Sequence, residues 1–432
     1  MKKVFILTNF SGYLKSYSPI IVVSEQIKMF KRNGYEPILI TAEGWDPEEG
    51  SIYRDCETVN IIPAHVYNEP KEFDQTDLDE IDKLAEQLDE ILPEDAVVLT
   101  HDLIFLPDYV KHNVAARRVA EKKPGIQWIH WIHSATAPGK LIQERSMYGD
   151  KYKELLNEKF PNSIIAFPNS GDIPRVAVNF GYEEDQIYEV PHSTDPTRFM
   201  HPIVQRLFEE KELGDADVIM VLPIRLDRGK QAEVNVRITA GLKDIGLKPH
   251  LIVCDFHSTG DDKVVYRNEL KELASSLGVG DEVTFLSEFD EAVQLEADPS
   301  LIDQLFQLSN FFVFASKSET YSLVTQEAMS KGNFCILSHH FLPMRTIFGD
   351  KAIYRMFHAG ISPEGQNGET DVKYDDEQEY MKSIAINIRY YLETDKVIKG
   401  RTWVRQKRNP NAVFRDYLEP LLYRQGNNWW ER

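Results

Sequence analysis

Apolar positions along this chain come in short β-branched runs separated by longer amphipathic segments. KKVFILTNF (2–10) reads as a strand, and SPIIVVSEQIKMFKRNG (18–34) as a helix closed by Gly34. EPILITA (36–42) is a second strand, followed by VNIIPAHVY (59–67). Residues 76–92 place apolar side chains at 78, 81, 84, 88 and 91, one helical face, with Thr76 opening the helix and Asp79 as its cap. AVVLTHD (96–102), IQWIHWIHS (126–134) and SIIAFPNS (163–170) continue the series. Buried strands alternating with helices predict a parallel sheet covered on both faces.

The second half repeats the design. DVIMVLP (217–223), HLIVCDF (250–256), EVTFL (282–286), FFVFA (311–315) and FCILS (334–338) are strands, with helical stretches such as YRNELKELASSLG (266–278) and SLIDQLFQLS (300–309) between them. The junction falls in 190–215, where PHSTDPTRFMHP is rich in proline and polar turn residues. At 432 residues the chain exceeds one compact core, so two doubly wound α/β domains are expected, with ligands at the carboxyl ends of their strands.

Composition narrows the function classes. Apolar residues make up 42% and charged residues 27%, as in a soluble globular chain, and no apolar run approaches the roughly 18 residues that span a membrane. The run in MKKVFILTNF reaches polar Thr8-Asn9 too soon for a signal peptide. Cys56, Cys254 and Cys335 lie far apart, indicating neither a zinc site nor a disulfide framework, and a cytoplasmic setting fits. A net charge of −20 opposes general attraction to nucleic acid or anionic lipid. The charge is uneven, however: residues 71–90 hold nine acids and two bases, and residues 396–432 nine bases and three acids.

The candidate chemistry centres on KSETYSLVTQEAMSKG (317–332), which follows a strand and carries Glu319 and Glu327. A helix starting near Tyr321 would offer the amides of Tyr321, Ser322 and Leu323 to a diphosphate. Glu327, on the face of Leu323, could accept hydrogen bonds from a ribose diol. The bland alternative is a capping acid and a surface acid. The surrounding pattern S-x-x-E-x-x-S-L-V-x-x-E-A-M-x-x-G resembles the Glu-x7-Glu element of retaining GT-B glycosyltransferases, specifically glycosyltransferase family 4. VLPIRLDRGKQ (221–231) is similar to the family's donor-clamping segment. IYEVPHSTDPTRF (187–199) is similar to its interdomain segment, and LGVGDEVTFLSEF (277–289) to the stretch passing the base. FSGYLKS (10–16) sits where the family has its glycine loop, and WIHWIHSAT (128–136) where a histidine reaches the transferred sugar.

The resemblance implies a GT-B fold: two Rossmann-like domains facing a central cleft, with a C-terminal helix crossing back. The divisions would be 1–200, completed by 410–432, and 201–409. It implies that Arg225 and Lys230 neutralise the leaving diphosphate, Glu319 contacts sugar hydroxyls, and Glu327 the ribose. Gly12 would admit the phosphate, and His133 would contact the sugar. Tyr13, His101 and Asp102 fall on the acceptor side, and His130 is structural. The pattern departs from the family at Ser11, Ser322 and Phe334, and at His192-Ser193-Thr194, where an asparagine-glycine is usual.

The implied reaction moves a sugar from a nucleotide-diphosphate donor to an acceptor hydroxyl with retention, without metal or other cofactor. Asp77-Leu78-Asp79 matches the acid-x-acid pattern of metal-dependent transferases but reads as a solvated helix face. The partners implied are the nucleotide sugar and a glycan, lipid-linked or small-molecule acceptor. A lipid acceptor would bring peripheral membrane contact, and no obligate protein partner is evident. One alternative is transfer to hydroxymethylated DNA bases, supported by the basic tail with Trp403, Trp429 and Trp430 and by AARRVAEKK (115–123). The opposing reading of that tail packs its aromatics and turns its cations to solvent. Another alternative is a nucleotide-sugar epimerase of the same fold.

Overall fold

The computed structural model describes residues 2–62, 73–106, 109–136, 155, 158–317, 319–339, 342–357 and 375–422. The chain forms two compact units, Met1–Ser193 with Pro410–Arg432, and Thr194–Asn409.

Unit 1 is built on seven parallel strands: β1 (Lys2–Leu7), β2 (Tyr35–Ala42), β3 (Glu57–Ile62), β4 (Val97–His101), β5 (Gln127–Trp131), β6 (Ser163–Phe167) and β7 (Ile187–Glu189). Their spatial order is β3-β2-β1-β4-β5-β6-β7, so the winding reverses between β1 and β4. At such a reversal the connections leave in opposite directions and open a crevice at the carboxyl ends of the strands. Strands β4, β5 and β6 are buried at every position, which is why they read as predominantly apolar runs rather than as alternating ones. Strand β7 has three residues, two of them only half-buried, and carries no apolar run to announce it.

The helix Ser18–Arg32 ends where Gly34 takes a left-handed φ of +79°. The acidic helix is Gln75–Ile91, and its cap differs from the expectation. Asp74 is the N-cap and Asp77 closes a capping box with it, whereas Asp79 accepts from the Gln75 amide at 2.8 Å. Asp77 is buried and also pairs with Lys111 at 2.5 Å, so it is no solvated face. The acid-x-acid pattern is thus divided between a cap and a surface residue.

The C-terminal segment packs on unit 1, through Pro410–Val413, the π-helical Phe414–Leu418 and Glu419–Leu422. Phe414 meets Phe30 and Tyr35 edge-on at 6.1 and 5.9 Å, and the Gln127 side chain donates to the Leu421 carbonyl at 2.6 Å. With its ring 1% exposed, Phe414→Ala should cost about 3–5 kcal/mol. Urea unfolding monitored at unit 1 tryptophans checks this; an unchanged midpoint would show that the segment adds nothing to that core.

Unit 2 holds β8 (Val218–Pro223), β9 (Pro249–Cys254), β10 (Val283–Phe285), β11 (Phe311–Phe314), β12 (Phe334–Ser338) and β13 (Ile353–Arg355), all parallel. The order β10-β9-β8-β11-β12-β13 repeats the doubly wound scheme, with its reversal between β8 and β11. The chain enters unit 2 after Ser193 rather than at 200, because the following residues are tied there. The Thr194 amide donates to the Arg408 carbonyl at 2.6 Å, and the Gln205 side chain to the carbonyls of Thr197 and Met200.

The basic stretches meet the solvent-facing expectation only in part: Lys396, Lys399, Lys407 and Arg415 are exposed, whereas other cations are engaged within the protein. Arg405 is buried and donates to the carbonyls of Ala216 and Leu308, while Arg401 donates to those of Gly332, Gln307 and Ser309. Burial lowers the Arg405 pKa to about 10. Trp403, instead of packing inside, is 48% exposed beneath the Arg408 guanidinium. In 115–123, Arg117 is buried on the carbonyls of Leu155, Glu158 and Lys159, and Arg118, Lys122 and Lys123 pair with Asp82 and Asp89. Trp429 and Trp430 lie outside the described residues. No helix among the described residues is long and apolar enough to cross a membrane.

Candidate functional site

In unit 2 the candidate residues come from the loops after β8 and β11, the two strands that flank the winding reversal. The loop after β8 makes a short turn at Arg228–Lys230 and leaves it through Gln231, whose φ is +54°. Two bonds fasten this loop to the one after β11: the Lys317 amide donates to the Gly229 carbonyl at 2.8 Å, and the Gln231 side chain to the Ala315 carbonyl at 2.6 Å. So fastened, Lys230 forms an ion pair with Glu319, and the Ser316 hydroxyl lies 3.4 Å from the same Glu319 oxygen. Lys230 also stands over the Phe314 ring at 5.7 Å. Both partners are largely shielded, with side-chain exposures of 27% and 19%.

The helix after this loop is Leu323–Ser330, two residues later than expected. Ser322 precedes it in the left-handed region, φ +63°, which explains why glycine is usual there. Its hydroxyl turns inward to Thr325 at 2.7 Å, so it is not a ligand-facing group in this structure. Tyr321 is half-exposed. The helix-opening amides therefore begin at Leu323, not Tyr321.

Beside this helix lies a pocket of ≈ 740 Å³ whose walls include Arg225, Phe256, His257, Asp303, Leu323 and Glu327. Its size is within the roughly 300–1,000 Å³ typical of small-molecule sites. Leu323 and Glu327 face it together, as their four-residue spacing requires. The Lys230–Glu319 pair is not among its lining residues. Arg225 is 64% exposed at its side chain and bonds Asp227 at 2.8 Å. The Lys263 ammonium, and after it Arg225, hold the Asp227 carboxyl below its ordinary value. Phe256, His257 and Asp303 were not expected from the motifs; Phe256 ends the run HLIVCDF (250–256) and His257 follows it.

In unit 1 the residues at the carboxyl ends of β4, β5 and β7 form a group of near-parallel rings. His101 ends β4 and lies parallel to Trp131 and to His133, at 6.0 and 5.5 Å. The His192 ring is near-parallel to His133 and to Trp131, with centroids 5.3 and 5.7 Å away. His101 Nδ1 is 3.2 Å from His133 Nε2, and His101 Nε2 is 2.8 Å from the Gln26 side-chain oxygen. Burial lowers the pKa of His133 and His192 to about 4 and that of His101 well below its ordinary value. His130 is fully buried and bonds Thr100 at 2.8 Å. His192 and Gln26 escape the motif reading; His192 occupies the departing position of the interdomain segment, the one available signal.

Gly12 is exposed, and a Cβ there would meet no protein atom within 4 Å, so only a bound molecule would demand glycine. Tyr13 is half-buried, edge-on to Trp45 and Tyr53 at 5.8 and 6.2 Å. Residues 137–149, which directly follow WIHWIHSAT, lie outside the described residues.

Asp102 follows His101 with φ +52°, and its carboxylate accepts the His133 amide at 3.0 Å. Burial raises its pKa to about 7, against an ordinary 3.8. The folded state therefore binds the extra proton between those values. Its contribution is fully present below the unfolded pKa and is lost as pH rises through the folded one, on the order of 4 kcal/mol. His133 and His192, with lowered pKa values, act oppositely, adding stability as pH rises from about 4 to 6.5. The difference between wild type and Asp102→Asn isolates the carboxyl. From pH 4.5 to 7.5 the wild type should lose a few kcal/mol relative to the variant, measured by urea unfolding; parallel profiles would refute the shift.

Residues 204–354 match the family model described as glycosyl transferases group 1. None of the curated proteins matches the chain. Among solved structures, a glycosyltransferase from Rickettsia africae ESF-5 is 15% identical, over 99% of this chain and 100% of that one, with a TM-score of 0.36. The Anabaena HepE protein in complex with UDP-glucose is 13% identical, over 98% and 99%, at 0.35. A sucrose-phosphate synthase from Thermosynechococcus elongatus is 18% identical, over 98% and 99%, at 0.34. The family match covers the unit that carries Arg225, Lys230, Glu319 and Glu327.

Proposed function

From the match of residues 204–354 to the group 1 glycosyl transferases, we propose that this protein is a retaining GT-B glycosyltransferase using a nucleotide-diphosphate sugar. The observation that carries this is the Lys230–Glu319 pair, held by cross-linked loops at the winding reversal beside a pocket walled by Arg225, Leu323 and Glu327. A nucleoside would occupy the pocket, with Glu327 accepting from the ribose and the amides from Leu323 onward facing the diphosphate. Lys230 and Arg225 would meet the negative charge that develops on the departing diphosphate, where fixed cations contribute most. No metal is required in this scheme. A phosphate anion would compete with Glu319 for Lys230 and free that carboxylate for the sugar hydroxyls.

With no second nucleophile assigned, retention would follow from attack on the face the leaving group departs, the departing phosphate taking the acceptor proton. The acceptor would be a glycan, a lipid-linked sugar or a small molecule. Transfer to DNA loses support, since Arg401, Arg405, Arg117, Arg118, Lys122 and Lys123 are engaged within the protein.

A panel of nucleotide sugars screened by thermal shift identifies the donor, and proton NMR of the product reads the anomeric configuration. An inverted product would overturn the retaining assignment. Epimerisation of the nucleotide sugar alone would overturn the transferase reading.

A further inference from the structure

The hydrogen bonds behind His133 run in one direction and begin at a side chain that no motif marks. Gln26 lies on the helix Ser18–Arg32 and is fully buried. Its side-chain oxygen is 2.8 Å from His101 Nε2, so that nitrogen carries a hydrogen. A neutral imidazole holds a single N–H, which leaves His101 Nδ1 as an acceptor. His133 Nε2, 3.2 Å away, must then donate to it. His133 in turn retains a lone pair on Nδ1. Burial keeps both rings neutral at pH 7.

Two further observations fit a positioning role. The Gln26 Nε2 is buried without a hydrogen-bond partner. A glutamine placed for structure alone would have both ends of its amide satisfied; this one is turned to His101. The His133 ring also lies edge to edge and nearly coplanar with His101, joined through that N···N contact, and near-parallel to His192, and its backbone amide is fixed by Asp102. Its remaining freedom is which nitrogen bears the proton, and the relay removes it.

We propose that Gln26, acting through His101, is a positioning residue that locks His133 as the Nε2–H tautomer and leaves its Nδ1 to accept a hydrogen bond from a substrate hydroxyl. This rests on the reading of His133 as the sugar-contacting histidine. An accepting nitrogen favours a sugar with a hydroxyl at that contact over one with a carboxylate, whose oxygens would oppose the lone pair.

The test is two-bond proton–nitrogen NMR of the whole protein labelled at histidine nitrogen, with the His133 signal assigned by its loss in His133→Asn. In the wild type, His133 should show the Nε2–H tautomer. In Gln26→Met, which keeps the side-chain length and removes the acceptor, it should show a mixture. An Nδ1–H tautomer in the wild type, or an unchanged tautomer in Gln26→Met, would overturn the relay. His101→Phe, which keeps a planar ring but no relay nitrogen, should give the same mixture, so the result does not depend on one variant folding. With the donor identified by the panel, Gln26→Met should also lower kcat/KM about five- to tenfold, as for one lost hydrogen bond. A tautomer change with undiminished turnover would leave the relay standing and overturn the placement of His133 at the sugar.

Discussion

Lys230→Ala is expected to lower kcat about 10²–10³-fold, the loss seen when one fixed group stabilising developing charge is removed. The ammonium is already in place: the Lys317–Gly229 and Gln231–Ala315 bonds hold its loop, and Glu319 holds its side chain. Little reorganisation would then be needed as the diphosphate departs. The thermal midpoint should stay near wild type, because a partly exposed ion pair contributes about 0–1 kcal/mol. Turnover and melting temperature measured on one preparation separate the two effects. Wild-type turnover would sink the assignment, and a collapsed melting temperature would make Lys230 a structural residue.

Glu319→Gln should reduce kcat by a comparable factor, about 10²-fold or more, again with the fold intact. The substitution keeps shape and one acceptor oxygen but removes the charge that pairs with Lys230. Because the two residues share one contact, their effects should not add. The double variant Lys230→Ala/Glu319→Gln is expected to fall well short of the product of the single losses. Full additivity would show that the pair acts as two independent groups and that their contact in the free protein has no bearing on turnover. Donor affinity, measured by calorimetry, should weaken more for Lys230→Ala than for Glu319→Gln, since in the proposed scheme only the former removes a phosphate contact.

Much of the fold was legible because strands buried on both faces are mostly apolar, and such runs mark themselves even with a buried Thr100, Gln127 or His130 among them. The strands missed, β7 and β13, have three residues each and are mostly half-buried, so nothing in their composition separates them from loop. Caps were less legible. Asp74, Asp77 and Asp79 offer equivalent chemistry one turn apart, and only the backbone decides which carboxylate meets the free amides. The basic tail misled for a related reason. An arginine bound to backbone carbonyls and one facing solvent have the same sequence, and Arg401 and Arg405 are of the first kind.

For the site, the sequence by itself determined which groups are present: two cations after the first apolar run of the second half and two carboxylates after its fourth, collinear with a known glycosyltransferase pattern. It also determined that both halves would be doubly wound, since the alternation of buried strands and helices admits little else. Which of those groups touch was decided only by the tertiary structure. Lys230 and Glu319 are 89 positions apart, and they meet because the winding reversal sets β8 beside β11. Gln26 lies 75 positions from His101 and reaches it from a helix to a strand end, a contact no local pattern encodes. The same holds for the neutrality of the clustered histidines, which follows from burial. Residue type sets what a side chain can do, and proximity and desolvation, both properties of the folded chain, select what it does.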